Sequence, residues 1–390
     1  MRKRFVIIGI GAIILLAGVG GLLAYQNDKK DNNPVETSSQ SQKPQEQPSP
    51  SPPPLSYPDE VLAKMTLRDK IASLFLFHSP GTNLAPYLAA HKPAGLIFMG
   101  DNIPATLAEL QFETKALITN PKLPPLLAVD EEGDTVKRLA ADTFPGALTL
   151  PDMPPATTRD AFGKRSDLLK SVGLNLNFGI VADVTANPRS FIFPRVLGTT
   201  PQTASERVAQ AVEGSKGKTL STLKHFPGHG ETNANSHTSI PTASTSYPDW
   251  QQRVALPFKA GIQAGADMVM FGHLRYEVVD DAPASLSKKW HDIARNELGF
   301  KGIIVTDDMI MLQNSGDSRY KDPVVNSITA LQAGNNLLLF VTDHQDEASA
   351  IDPSVLINGI EAAVNDGRLD ETVINENAKK LLTLRSQLAR

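Results

Sequence analysis

The residues richest in chemistry lie in two short stretches. Lys224-His225-Phe226-Pro227-Gly228-His229-Gly230-Glu231-Thr232 is followed closely by Asn235-Ser236-His237. Three histidines at this density invite comparison with a metal site. Pro227 and Gly228 stand between His225 and His229, however, and forbid the helix that would bring an i, i+4 pair onto one face. No cysteine and no carboxylate quartet completes a ligand set, so no metal is expected. The stretch reads instead as a strand end running into a glycine-rich loop, where catalytic groups are often carried. The second stretch is Gly302-Ile303-Ile304-Val305-Thr306-Asp307-Asp308-Met309. A carboxylate directly after an apolar strand can attack a sugar carbon and form a covalent glycosyl intermediate. It can equally cap the helix that follows. Spacing alone leaves these two readings of Asp307 and Asp308 level.

The elements that must carry these groups recur eight times. Apolar runs stand at Leu74–Phe77, Gly95–Met99, Leu126–Val129, Leu174–Val184, Thr222–Phe226, Met268–Phe271, Ile303–Thr306 and Leu337–Val341. Continuous apolar runs of this length suit strands buried on both faces, as in parallel sheets. Between them, Ala204–Glu213, Trp250–Gln263 and Ser287–Leu298 carry apolar residues at helical spacing, and Thr66-Leu67-Arg68-Asp69 has the form of a helix-opening capping box. Gly265 and Gly299 fall where helices should end before the next strand. Strand–helix alternation repeated eight times predicts an α/β fold, a (β/α)8 TIM-type barrel. A doubly wound open sheet is the alternative. The barrel puts functional groups at the C-terminal strand ends. Five runs do end in polar groups: Asp130 with Glu131 and Glu132, Asp183, Lys224 with His225, His273, and Asp307 with Asp308.

The rest of the 390-residue chain sets the context. Arg2, Lys3 and Arg4 precede an uncharged run from Phe5 to Tyr25, long enough as a helix to span about 30 Å of hydrocarbon. Residues 1–25 are therefore expected to form a signal-anchor helix, with the following chain outside the cytoplasm by the positive-inside rule. A cleaved signal peptide, followed by secretion, is the other reading. Residues 26–58, rich in Ser, Gln and Pro, predict a disordered spacer, and residues 59–390 a single catalytic domain. With no cysteine the fold holds by packing alone, and a net charge of −4 gives no indication of a nucleic-acid partner.

Taken together, Lys224–Gly230 (KHFPGHG), the later Ser236-His237, the Thr306-Asp307-Asp308-Met309 strand end and Val129-Asp130-Glu131-Glu132-Gly133 resemble glycoside hydrolase family 3, and within it the β-N-acetylhexosaminidase branch, which trims N-acetylglucosamine in peptidoglycan recycling. Met65–Ile71, Ala264–Met270 and Ala284–Ser287 extend the similarity over nearly all of residues 60–390. The resemblance implies retaining hydrolysis of terminal β-linked N-acetylglucosamine by double displacement, with no metal or organic cofactor. It implies Asp307 as nucleophile and His237 as general acid and then base. Asp130, Arg138 (placed in a helix after the strand), Arg195, Lys224 and His225 would bind the sugar. The implied partner is an amino-sugar glycan such as a peptidoglycan fragment.

Three departures from the family pattern bear on that expectation. Asn235 stands where the family usually has an Asp beside its acid/base histidine. An anion there raises an imidazole pKa and orients the ring, whereas an amide only orients it, so a lower pH optimum is expected. Glu231 is a candidate substitute carboxylate. Glu131-Glu132-Gly133-Asp134-Thr135 replaces the family's common Gln-Glu-Gly-Gly-Arg, and Arg195-Val196-Leu197-Gly198 replaces Arg-Ser-Phe-Gly. A β-glucosidase-like member of the same family and a catalytically impaired glycan-binding module are the remaining alternatives.

Overall fold

The computed structural model describes residues 55–342 and 351–389. The apolar run Phe5–Tyr25 and the spacer as far as Pro54 lie outside them. Among the described residues no helix is long and apolar enough to cross a membrane. The first helix, Tyr57–Leu62, is capped by the Ser56 hydroxyl and begins two residues ahead of the expected domain start.

All eight apolar runs form strands: β1 (Phe75–His78), β2 (Gly95–Phe98), β3 (Leu126–Val129), β4 (Leu176–Val181), β5 (Leu220–Phe226), β6 (Met268–Phe271), β7 (Ile303–Thr306) and β8 (Leu338–Phe340). Every residue in them is buried, which is why most read as apolar runs rather than as alternation; the buried polar exceptions are Asn177 in β4, several residues of β5, and the strand ends His78 and Thr306. The strands are parallel and ordered β8-β1-β2-β3-β4-β5-β6-β7, with β8 returning to β1 through Phe75–Leu338, Leu76–Leu339 and Phe77–Phe340. The gap between β7 and β8 is bridged at Val305–Leu337, where Thr306 N donates to Leu337 O at 3.1 Å. The result is an eight-stranded parallel sheet that is nearly closed on itself, as a TIM-type barrel requires.

Helices cover the sheet. Thr66 caps Leu67–Ala72, accepting from Asp69 N at 3.1 Å. Ala156–Ser171 and Pro201–Ser215 pack side by side, and glycine is required where they touch, because a Cβ at Gly214 would sit 2.3 Å from Arg159 O. The helical stretch expected over 250–263 is present but opens with a π turn, Trp250–Val254, ahead of Ala255–Ala264. Pro257, with no N–H to donate, follows within the next turn. Behind β5 and β6, Phe226, Trp250, Phe258, Phe271 and Trp290 form an aromatic cluster, with the Phe226 and Phe271 centroids 4.6 Å apart. Trp250 Nε1 donates to Pro227 O at 2.8 Å, which ties the chain just beyond His225 to this rigid core.

No helix follows β3 directly. Residues 131–149 are irregular, so Arg138 sits on a loop and not on the expected helix. Gly133 and Asp134 adopt positive φ values of 88° and 41°, and the chain turns back through the Gly133–Val136 bridge. After a single 3-10 turn at Leu150–Asp152, the first α-helix beyond β3 begins only at Ala156, behind Pro154 and Pro155.

Candidate active site

At the C-terminal end of the strands lies a cavity of about 520 Å³, within the range of small-molecule sites. All seven residues singled out from the sequence line it: Asp130, Arg138, Arg195, Lys224, His225, His237 and Asp307. Met99, Phe191, Met270, Met311, Leu339 and Val341 supply apolar wall. A cavity of similar size, about 540 Å³, lies against the N-terminal ends of β6 and β7, lined by Asp267, Lys301, Glu376 and Lys379, away from the strand ends where these seven residues meet.

The cavity floor is a chain of charges built on the buried Lys224 and Glu132. Lys224 Nζ lies 2.6 Å from Asp130 Oδ1 and 2.7 Å from Glu132 Oε1. Arg195 grips the same Glu132 with two bonds, at 2.6 and 2.9 Å. Burial alone would raise the Glu132 carboxyl, but Lys224 and Arg195 bring it down to about 2. Lys224, desolvated yet facing Asp130 and Glu132, is held above the usual lysine range. Glu132 thus organises both basic residues, although the sequence marked it only as a polar strand end.

His225 is aimed from below. Its Nδ1 donates to the fully buried Asp183 at 2.7 Å, which leaves Nε2 to face Arg195 Nη2 at 3.3 Å. Asp183 also accepts the backbone N–H of His229 at 2.6 Å. Burial pushes the Asp183 carboxyl up, and His225 and His229 more than offset this, leaving it below its ordinary value. Asp183, at the end of β4, was visible as a polar strand end, but its partner is 42 residues away in the chain.

The two aspartates after β7 divide the roles that spacing left level. Asp308 Oδ1 accepts Ile310 N at 3.1 Å and Val341 N at 2.9 Å, so it starts the helix Ile310–Asn314 and ties it to β8. Burial, with Asp307 and Asp130 adding, raises its carboxyl to about 7. Among the described residues Asp307 makes no such bonds; its Oδ1 accepts only the neighbouring Asp308 N, at 2.9 Å. Burial would raise Asp307, but His225, His273, the Asp308 N–H and Lys224 hold it below the usual value, so it is anionic. His273 fixes the turn, donating from Nε2 to Asp308 O at 2.8 Å while Nδ1 meets Ser285 Oγ at 2.7 Å.

His237 sits on the exposed loop beyond β5. The loop is held at its start by the Tyr276 hydroxyl, which donates to Gly228 O at 2.6 Å, and in its middle by Ser236 Oγ, 3.1 Å from His229 Nε2. Burial pushes the His229 imidazole down to about 4, so it is neutral at ordinary pH. Phe191 stands edge-on to the His237 ring, with centroids 6.1 Å apart. Glu231 does not serve His237: both its oxygens are taken by Arg253, at 2.8 and 2.7 Å, and one also by Thr245. Arg138 reaches the cavity from its loop, and its Nε is buried with no partner among the described residues.

The family model described as the glycosyl hydrolase family 3 N terminal domain matches residues 66–384. A Beta-hexosaminidase of Nitrosomonas eutropha is 34% identical over 266 residues, covering 64% of this chain and 74% of that protein. Beta-hexosaminidase A of Pseudoalteromonas piscicida is 26% identical, and the chain spans 55% of its length. Among solved structures, a beta-N-acetylhexosaminidase from Beutenbergia cavernae superposes with a TM-score of 0.70 at 25% identity, covering 83% of this chain and 99% of that one. LpqI of M tuberculosis does so with a TM-score of 0.76 at 25% identity, covering 86% and 98%. With the family model spanning the whole described barrel, the chain belongs to glycosyl hydrolase family 3.

Proposed function

We propose that this protein is a retaining β-N-acetylhexosaminidase that removes terminal β-linked N-acetylglucosamine from cell-wall or other amino-sugar glycans. The observation that carries the reading is Asp307, just after β7 and outside the backbone bonds that hold Asp308, in one cavity with His237 and the Asp130–Lys224–Glu132–Arg195 network. The beta-hexosaminidase names of the relatives point the same way. In this scheme Asp307 attacks the anomeric carbon while His237 gives its proton to the departing glycosidic oxygen. Water then attacks the glycosyl-Asp307 ester as His237 takes up a proton, so the anomeric configuration is retained. Lys224, Asp130, Arg138 and Arg195 hold sugar hydroxyls, and His225, set by Asp183, points its Nε2 into the same space. No step calls for a metal or cofactor.

The same proposal takes the nearly closed sheet as a full TIM-type barrel. It takes residues 1–25 as an anchor that keeps the barrel on the outer face of the membrane, where peptidoglycan fragments are within reach. The basic cluster Arg2–Arg4 before an uncharged run supports that placement. One observation favours a second reading, a glycan-binding module with impaired turnover: Asn235 supplies no negative charge beside His237.

The test is turnover of an aryl β-N-acetylglucosaminide by the full chain, with Asp307→Asn and an aryl β-glucoside in parallel. Turnover of the amino sugar alone, lost by roughly 10⁴-fold or more in Asp307→Asn, is expected for a nucleophile. Glycan binding without turnover by the folded wild type selects the binding module, and preference for the glucoside selects a β-glucosidase-like enzyme. Recovery of the chain in the soluble fraction, with the N-terminal run intact, would remove the anchor.

A further inference from the structure

Directly behind the cavity floor, between Asp130 and Glu132, Glu131 is wholly buried. Its Oε2 accepts the backbone N–H groups of Arg138 at 2.9 Å and Leu139 at 3.2 Å, closing the loop 131–139 on itself. Its own backbone is pinned to β4 by Asn177, which accepts Glu131 N at 3.0 Å and donates to Glu131 O at 2.9 Å. The other carboxyl oxygen, Oε1, is buried and receives no donor among the described residues. The side chain facing it is Asp142, 1% exposed and itself a carboxylate.

Asp142 is already held in a buried ion pair. Arg165 Nε donates to it at 2.5 Å inside the core, and Phe144 N donates at 3.0 Å. The remaining charged groups on this side do not reach Glu131: Lys137 Nζ goes to Asp142 O at 3.1 Å, and the Arg138 side chain points into the cavity. On the β4 side the neighbour is the neutral Asn177. Two buried carboxyl groups in contact cannot both be ionised. With Arg165 holding the charge on Asp142, the proton belongs to Glu131.

We propose that Glu131 is a positioning residue that keeps a proton, donated from Oε1 to Asp142, and that this proton holds loop 131–139 in the shape that presents Glu132 and Arg138 to the sugar. A glutamine, common here in the family this chain resembles, would make the same bonds and never titrate. The glutamate makes the loop sensitive to pH. Burial, reinforced by the charge of Asp142, pushes its carboxyl up to about 8. Below that pH the loop is closed; above it two facing carboxylates repel and the floor of the site loosens.

The inference rests on the hydrolase reading for its kinetic readout, so the test has an arm that needs no turnover. Infrared difference spectra of the ligand-free full chain between pH 7 and 9.5 should show a protonated carboxylic acid disappearing around pH 8 in the wild type; Glu131→Gln should lack that band and keep only the earlier loss from Asp308, whose carboxyl is raised to about 7. In kinetics, the wild-type KM for an aryl β-N-acetylglucosaminide should rise about tenfold by pH 9, as binding-competent protein is depleted. Glu131→Gln should keep the wild-type KM at pH 7 and hold it to pH 9, whereas Glu131→Ala should have a raised KM throughout. A Glu131→Gln profile that follows the wild-type rise, or a carboxylic-acid loss in Glu131→Gln identical to that of the wild type, would overturn the proposal. Loss of all turnover beside the expected infrared change would count against the hydrolase reading alone.

Discussion

Asn235 Oδ1 accepts the backbone N–H of His237 at 2.9 Å, so the amide holds the loop's main chain rather than the imidazole. Its own carbonyl oxygen takes Ser239 Oγ at 3.0 Å, and the residue behaves as the knot of a tight turn. An aspartate would tie the same knot, since either oxygen accepts an N–H, while adding a negative charge next to the ring. The substitution keeps the shape and changes the field.

Asn235→Asp is therefore expected to move the pH optimum of turnover upward by about one unit, the scale of an added neighbouring charge. Turnover at pH 7 should rise. Rate–pH profiles of the two proteins decide it; coincident profiles would mean that His237 is not the proton donor.

Among the described residues, Arg138 is the cavity-lining cation with an unpartnered buried nitrogen, which suits a group kept for ligand. Arg138→Ala should raise KM by about 10- to 100-fold, corresponding to roughly 1.5–3 kcal/mol for a hydrogen bond to a charged group. An unchanged KM would remove Arg138 from the binding set.

Asp183 accepts three donors inside the core: His225 Nδ1, His225 N and His229 N. Asp183→Ala strands them, at a cost of roughly 3 kcal/mol or more, to be read from denaturant unfolding. Because the folded-state value of Asp183 lies below its unfolded value of 3.8, its contribution is present above about pH 4. It is lost as pH falls through the lower, folded value. The wild type should therefore lose stability on acidification below about pH 4 more steeply than the variant does.

The Arg253–Glu231 pair braces the His237 loop from a half-exposed position, the Arg253 side chain being 45% accessible. Such a pair contributes at most about 1 kcal/mol to global stability. Arg253→Ala is expected to leave the unfolding midpoint nearly unchanged and to lower turnover by about threefold, on the same scale. Added salt should shrink the difference between the two proteins. Equal turnover at low and high salt would show that loop placement does not depend on this contact.

The eight strands and their order were legible in the sequence because a strand buried on both faces is largely apolar, and such runs stand out against helical spacing. The meeting of Asp130, Lys224, His225 and Asp307 in one cavity followed from the same pattern, since parallel strands in a closing sheet end on one face; Arg138, Arg195 and His237, which lie beyond the strands, were implied only by the family resemblance. The helix expected around Arg138 does not form, because the turn at Gly133 and Asp134 reverses the chain locally and the prolines beyond it block helical bonding. Sequence alone showed that a carboxylate followed β7, but not which of two adjacent carboxylates would be engaged by the backbone of β8. Only the fold brought Val341 to Asp308 and left Asp307 facing the cavity. The same holds for the charges beneath the site. Lys224 and Asp130 are 94 residues apart, and Arg195 and Glu132 are 63 apart. Residue types determined that these groups carry charge. Which charges neutralise one another is decided by contacts of a few ångströms in a low dielectric, and tertiary structure alone creates those contacts.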